Sequence, residues 1–198
     1  MADSHGQAAC IQNALNFFEQ HGCHDIYHLG DICDSAHPET ADICVQLLQR
    51  RHVLAIKGNN DHQVVVNHVD RPPAYISART IDFLQNLPLT LEIDSMVMAH
   101  SLPFVNKRGL SSMVGVLGKD EVSLFFRLYP HKILMRGHSH QPELIQSRHK
   151  TIISEGLKTG EILQIPDIVP GILTCGAADH GFVMIWDRIK QTIGSYKL

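Results

Sequence analysis

Two histidines one residue apart close the stretch Ile133-Leu134-Met135-Arg136-Gly137-His138-Ser139-His140. Imidazole is the commonest neutral metal ligand, and two this close can serve one metal or two neighbouring metals. Alone, such a pair is weak evidence. It gains force because ligand types recur elsewhere: Asp3 and His5 beside Gly6, Asp31 after Gly30, Asn59-Asn60-Asp61-His62 after Gly58, and His100 after Met96-Val97-Met98-Ala99. Apart from Asp3 and His5, each follows a short apolar run, so each would stand where a strand ends. A mixture of carboxylate, amide and imidazole ligands suits manganese, iron, zinc or nickel.

The elements that must position these residues show in the apolar pattern. A helix is expected from about Gln7 to His21, with Ile11, Ala14, Leu15 and Phe18 on one face and Gly22 as its stop. Ile26-Tyr27-His28-Leu29 reads as a strand. Pro38 can open a helix whose buried side is Ala41, Cys44, Val45 and Leu48, and Val53 to Ile56 reads as another strand. Strand, glycine, polar residue and helix thus alternate, as in a parallel sheet covered by helices, where sites form outside the carboxyl ends of the strands. Val64 to Ala78, with Pro72-Pro73, reads as a loop. Ser77 can cap a helix carrying Ile81, Leu84 and Leu87. Leu89 to Ile93 alternates like a half-buried strand, and Met96 to Ala99 returns after a turn at Asp94-Ser95. Ser101 to Gly118 reads as a loop, and Asp120 to Tyr129 as an amphipathic helix. Beyond Pro142 the helical period disappears. Leu144-Ile145, Thr151–Ile153, Ile162–Ile165, Ile172–Cys175, Phe182–Trp186 and Thr192–Tyr196 read as strands of a second, mainly antiparallel sheet.

Composition bounds the reading. The chain has 198 residues, 44% hydrophobic and 19% charged, which suits a single domain spanning 1–198 with a sizeable core. A net charge of -3 gives no basic footprint for nucleic acid. No apolar run approaches the length of a membrane span, and no signal peptide is evident. Cys10, Cys23, Cys33, Cys44 and Cys175 are odd in number and scattered, so they are expected to be reduced thiols in a cytoplasmic protein.

In order, Asp3-x-His5, Gly30-Asp31, Gly58-Asn59-Asn60-Asp61, His100 and Gly137-His138-Ser139-His140 resemble the blocks of the calcineurin-like metallophosphoesterase family, small phosphodiesterase branch. The resemblance implies an α/β fold: a two-sheet sandwich flanked by helices. It implies a pair of divalent metals, manganese first, with Asp3, His5, Asp31 and His140 on one and Asp31, Asn59, His100 and His138 on the other. Asp31 would bridge them, since one carboxylate can hold two cations roughly 3.5 Å apart. The implied activity is hydrolysis of phosphodiesters or small phosphate esters, including nucleotide-type substrates, by a hydroxide held between the metals.

The sequence departs from the family at four points. Its members carry an apolar strand before Asp-x-His, whereas Met1-Ala2 precede Asp3 here. The first strand therefore reads as missing, or as lying upstream, with Asp3 and His5 expected on a frayed end. Asn60 stands where family phosphatases place a histidine that protonates the leaving group, and His62 is the candidate substitute. Ser101 replaces a frequent glycine after His100, a minor change on size alone. Thr174-Cys175-Gly176-Ala177 stands where many relatives carry Asn-Pro-Gly-Ser. Lys107, Arg108 and Lys119 could line a substrate rim. The alternative is a non-catalytic protein-interaction scaffold of this fold, as in the retromer subunit of the family.

Overall fold

Ile11, Ala14, Leu15 and Phe18 recur at helical spacing, and all four are buried in α1 (Ala8–Gln20). Each such aliphatic side chain contributes roughly 1.5–3 kcal/mol when fully buried. The protein, here a computed structural model, is described over residues 1–70, 74–148 and 151–198. Pro72 and Pro73, expected within a loop, lie outside the described residues. After α1 come β1 (Tyr27–His28), a 3-10 turn at Pro38–Thr40, α2 (Ala41–Arg50) and β2 (Leu54–Ala55). α3 (Asn59–His68) and α4 (Ala78–Asn86) lead to the hairpin of β3 (Thr90–Ile93) and β4 (Met96–Ala99). The single-turn α5 (Val105–Arg108) and a 3-10 turn at Gly109–Met113 precede α6 (Lys119–Leu128). Then follow β5 (Ile133–Arg136), β6 (Glu143–Arg148), β7 (Thr151–Gly156), β8 (Ile162–Gln164), α7 (Ile165–Ile168), β9 (Gly171–Thr174), β10 (Phe182–Asp187) and β11 (Thr192–Lys197).

The strands form a six-stranded sheet of order β3-β4-β5-β9-β6-β7, a three-stranded sheet β10-β11-β8 and the parallel pair β1-β2. β4, β5 and β9 are parallel in the middle of the large sheet, and Ile133–Arg136 of β5 is buried throughout, as a strand covered on both faces must be. One apolar cluster fills the space between sheets, with Leu29, Met96, Met98, Met135, Leu173, Met184 and Ile193. A second lies under α1, α2 and α4, and a third between α6 and the outer face of the large sheet. The result is the expected mixed α/β sandwich with helices outside.

Three expectations are corrected. The strands after Pro142 do not form a sheet of their own: β6, β7 and β9 join β3, β4 and β5, while β8, β10 and β11 pair separately. Val64–His68 is not loop but the second half of α3, at whose start Gly58 N–H donates to Asp61 Oδ2 at 3.0 Å. The start of the chain is not frayed. Met1 and Ala2 are buried, the Met1 ammonium donates to Tyr27 O at 3.0 Å, and Leu29 N–H donates to Met1 O at 2.8 Å.

Candidate metal centre

The loops at the ends of β1, β2, β4 and β5 and the first residues of the chain meet at one point. Glycines make the approach feasible. Gly30 leaves β1 with φ +90°, and a Cβ on it would stand 2.7 Å from Gly58 N and 2.8 Å from His100 Nδ1. A Cβ on Gly137 would stand 2.6 Å from Asp3 Oδ2. Through these gaps His5 Nε2 and His100 Nε2 each come within 3.5 Å of Asp31 Oδ2. His100 Nε2 is 3.1 Å from Asn59 Oδ1 and 4.0 Å from Asp3 Oδ1, and His140 Nε2 is 3.9 Å from Asp3 Oδ1. The rings of His5 and His140 are 4.9 Å apart, those of His100 and His138 5.1 Å. His138 N–H donates to Asp3 Oδ2 at 2.9 Å.

All seven residues expected as metal ligands are therefore neighbours. The ligand atoms of five of them fall into two overlapping groups, Asp3-His5-His140 and Asp3-Asp31-His100, each within 4.8 Å, while Asn59 and His138 adjoin His100. The first lies inside the set that the sequence resemblance implies for one metal. The second brings Asp3 next to His100, where the resemblance keeps them on separate metals. His62 lies on α3 three residues after Asn59, so the two share a helix face, but His62 joins neither group.

Whether these residues suit a pair of cations can be judged from their chemistry. Asp3 and Asp31 are both buried, and two buried carboxylates this close demand positive charge. Two histidines are held so that Nε2 is free to ligate. A carbonyl can only accept, so the 2.8 Å contact of His100 Nδ1 with Leu29 O fixes the proton on Nδ1. His5 Nδ1 likewise lies 2.9 Å from the Asp179 carboxylate. The backbone is strained at the same place: Asp3, His5, Asp31, His138 and His140 all have φ between +41° and +68°. Non-glycine residues rarely adopt that region, and such strain clusters at functional sites. The donor set fits two divalent cations.

Electrostatics agree in direction. Burial works to raise Asp31, but hydrogen bonds with His100, His5 and Asn60 prevail and hold its carboxyl well below the usual range. Burial, set against the charge of His100, pushes Asp3 up. The hydrogen bond to Asp31 lifts His5 to about 9, and burial, helped by His100, lowers His138 to about 4. Without a cation, protons on the histidines balance the carboxylates, so a metal must compete with them.

Several supporting roles escape the sequence reading. Asn60, at the position of the family's proton donor, turns toward Asp31: its Nδ2 donates to Oδ2 at 2.7 Å, its backbone N–H to Oδ1 at 2.8 Å, and its own Oδ1 accepts from Ser35 Oγ at 2.7 Å. Asp61, fully buried and raised to about 6 by that burial, accepts from the N–H groups of Ile32, Cys33 and Gly58 and joins the two ligand loops. Arg136 is buried at the end of β5. It donates to Ser101 O, Ser101 Oγ and Ser139 Oγ at 2.8–3.1 Å, tying the His100 loop to the His138–His140 loop. Ser101 is thus more than a small residue, since its hydroxyl also donates to Gly115 O. Of the candidate rim cations, Arg108 pairs with Glu121, and Lys119 lines a cleft of about 440 Å³ beside His138.

The geometry agrees with the comparisons. The calcineurin-like phosphoesterase superfamily domain matches residues 1–168. No curated protein matches the chain. Among solved structures, a metallophosphoesterase from Sphaerobacter thermophilus is 18% identical with a TM-score of 0.78, covering 100% of this chain and 86% of that one. A putative diadenosine tetraphosphatase is 17% identical with a TM-score of 0.60, covering 99% and 90%. The protein TT1561 of Thermus thermophilus is 10% identical with a TM-score of 0.52, covering 100% and 96%. At such identities the likeness is one of fold. Among the described residues no helix is long and apolar enough to cross a membrane. With the superfamily domain matched over most of its length, this chain belongs to the calcineurin-like phosphoesterase superfamily.

Proposed function

We propose that the chain, acting as one domain, hydrolyses phosphodiesters or small phosphate esters with two divalent metal ions, manganese foremost. The observation that carries this is the meeting of seven ligand-type side chains, Asp31 among them, where strained, glycine-hinged loops converge. Asp3, His5, Asp31 and His140 would hold one ion, and Asp31, Asn59, His100 and His138 the other. When bound, the ions supply positive charge for the phosphoryl oxygens and activation of a water nucleophile.

The chain's own residues supply the rest. Asp31 is kept ionised and oriented by Asn60, so it is available to both ions. Leu29 O and the Asp179 carboxylate keep His100 and His5 in the tautomer that presents Nε2. Four imidazoles and an amide against two carboxylates leave the loaded site net positive, which favours an anionic substrate. The cleft beside His138, walled by Val116, Ile145 and Ile152 with Lys119 and Ser154 at hand, offers room for the organic part of an ester.

Asn60 is occupied with Asp31 and Ser35 and cannot donate a proton near neutral pH. The site should therefore favour leaving groups that depart without protonation, such as aryl or nucleotide phosphodiesters, unless His62 supplies the proton. The test is hydrolysis of bis(p-nitrophenyl) phosphate with added manganese, for wild type and Asp31→Asn, alongside metal content. Activity with bound metal that the substitution removes is expected. Metal-loaded protein inert toward every phosphate ester tried would favour a scaffold instead.

A further inference from the structure

Strand register places a row of residues at the end of the large sheet nearest the metal ligands. Arg136 ends β5 beside Thr174 of β9, and Thr174 stands beside Glu143 of β6. Paired residues share a face of a sheet, so all three side chains project to the α6 side, with Leu134, Ile172 and Ile145 of the third apolar cluster. On β7, Ser154 stands opposite Ile145, and Ile152 shares its face.

This sheet face is one wall of the cleft of about 440 Å³. Ile145 and Ile152 give the wall apolar surface, and Glu143 and Ser154 border it on the side of the metal ligands. The segment leading into α6 supplies the other wall with Val116 and Leu117. Val116 is 80% exposed, so apolar surface stands uncovered there. Two charged groups meet the cleft between these walls. Arg136 is buried, and its bonds run to Ser101 O, Ser101 Oγ, Ser139 Oγ and, at 3.4 Å, Thr174 Oγ1, all of them neutral. A guanidinium has five N–H groups, so one on Nη2 lacks an acceptor among the described residues. Glu143 is half-buried and accepts from Ser154 Oγ through Oε1, which leaves Oε2 open among the described residues.

A ligand suited to this cleft is flat, with apolar faces, an acceptor on the edge toward Arg136 and donors toward Glu143. A second phosphate would find Arg136 and Lys119 here, but Glu143 would repel it. A plain aryl group would cover both charges and pair neither. We propose that the cleft takes the guanine base of a nucleotide substrate, and that Glu143 is the residue that selects it. The inference rests on the hydrolase reading, which puts the phosphate at the metals and the base beyond His138. Along one edge guanine carries O6, then N1–H, then the N2 amino group. Laid along the row, O6 meets the spare N–H of Arg136, while N1–H and N2–H donate to Glu143, whose carboxylate can accept several bonds. Adenine and cytosine set a ring nitrogen acceptor beside their amino group, and uracil flanks its N–H with carbonyl oxygens. Each therefore turns a lone pair toward the carboxylate.

The test is calorimetric binding to the manganese-loaded full chain. The probes are phosphonate analogues of the nucleoside 5′-monophosphates in which carbon replaces the ester oxygen, so that none is hydrolysed. The guanosine analogue is expected to bind roughly tenfold to a hundredfold more tightly than those of adenosine, cytidine and uridine. Glu143→Gln should reduce that preference to about threefold or less. The inosine analogue lacks the N2 amine and probes the same contact without altering the protein; it should bind roughly fivefold or more weakly than the guanosine analogue. Equal binding of the guanosine and adenosine analogues, a preference that survives Glu143→Gln, or an inosine analogue as tight as the guanosine one would each overturn the proposal. Hydrolysis of bis(p-nitrophenyl) phosphate without any base preference would overturn this inference and leave the hydrolase standing. A guanosine preference in a protein that hydrolyses no ester would support the cleft assignment and overturn the hydrolase.

Discussion

Asn60 separates two roles that the same position could play. Replacing it with alanine removes the Nδ2 bond to the charged Asp31, 2.7 Å long, and the two bonds that its Oδ1 accepts from Ser35. A bond to an ionised partner contributes roughly 1.5–3 kcal/mol and a neutral one about 1 kcal/mol, less where water can replace it, as at partly exposed Ser35. The backbone N–H of residue 60 still reaches Asp31 Oδ1. Asn60→Ala should therefore cost about 2–3 kcal/mol in urea unfolding of the metal-free protein, or roughly 5–10 °C in thermal midpoint. Because Asp31 loses an orienting partner, metal affinity should fall by roughly 10–100-fold. At saturating metal, kcat should fall by a similar factor for aryl and alkyl esters alike, since Asn60 is held away from the leaving group by its bonds to Asp31 and Ser35. A loss confined to alkyl esters, with stability and metal binding intact, would refute this reasoning and make Asn60 a group acting on the leaving oxygen.

Other expectations follow from the same contacts. Asp179→Asn leaves His5 without its carboxylate partner and should weaken metal binding by roughly tenfold, seen by competition with a chromophoric chelator, with little change in unfolding. Gly137→Ala places a Cβ 2.6 Å from Asp3 Oδ2, so urea unfolding should show a loss of about 1–3 kcal/mol together with impaired metal uptake. In the metal-free protein His5 is raised from 6.5 to about 9, so its contribution to stability is complete below pH 6.5 and lost as pH rises through 9. Urea midpoints of chelator-treated protein should fall across that window while metal affinity climbs; a rising midpoint would contradict the assignment.

Much of the centre is legible in the sequence because its chemistry is local. Gly30-Asp31 and Gly137-His138 announce themselves, as close backbone approach needs glycine and the ligand is its neighbour. α1 is legible from its apolar stripe. α3 is not, because its buried face mixes Asp61 with Val64 and Val65, and a carboxylate facing inward breaks the apolar period. The late strands read as strands, but which sheet each joins depends on partners distant in the chain: β9 pairs with β5 and β6, while β10 turns to β11. Ile165 reads as strand although Pro166 starts a helical turn there. Asp179 lies 174 residues from His5, and no motif marks it. The first residues mislead for a related reason: their order comes from backbone bonds to β1 and to the 177–179 turn, which no property of Met1-Ala2 foretells.

Asp31 shared by two cations is the claim on which the proposed chemistry stands. Anomalous diffraction from crystals grown with manganese measures this directly. Two peaks separated by roughly 3.5 Å are predicted, both within coordination distance of the Asp31 carboxylate, with His5 and His140 on one and His100 and His138 on the other. A single peak, or two peaks with Asp31 bound to neither, would contradict it.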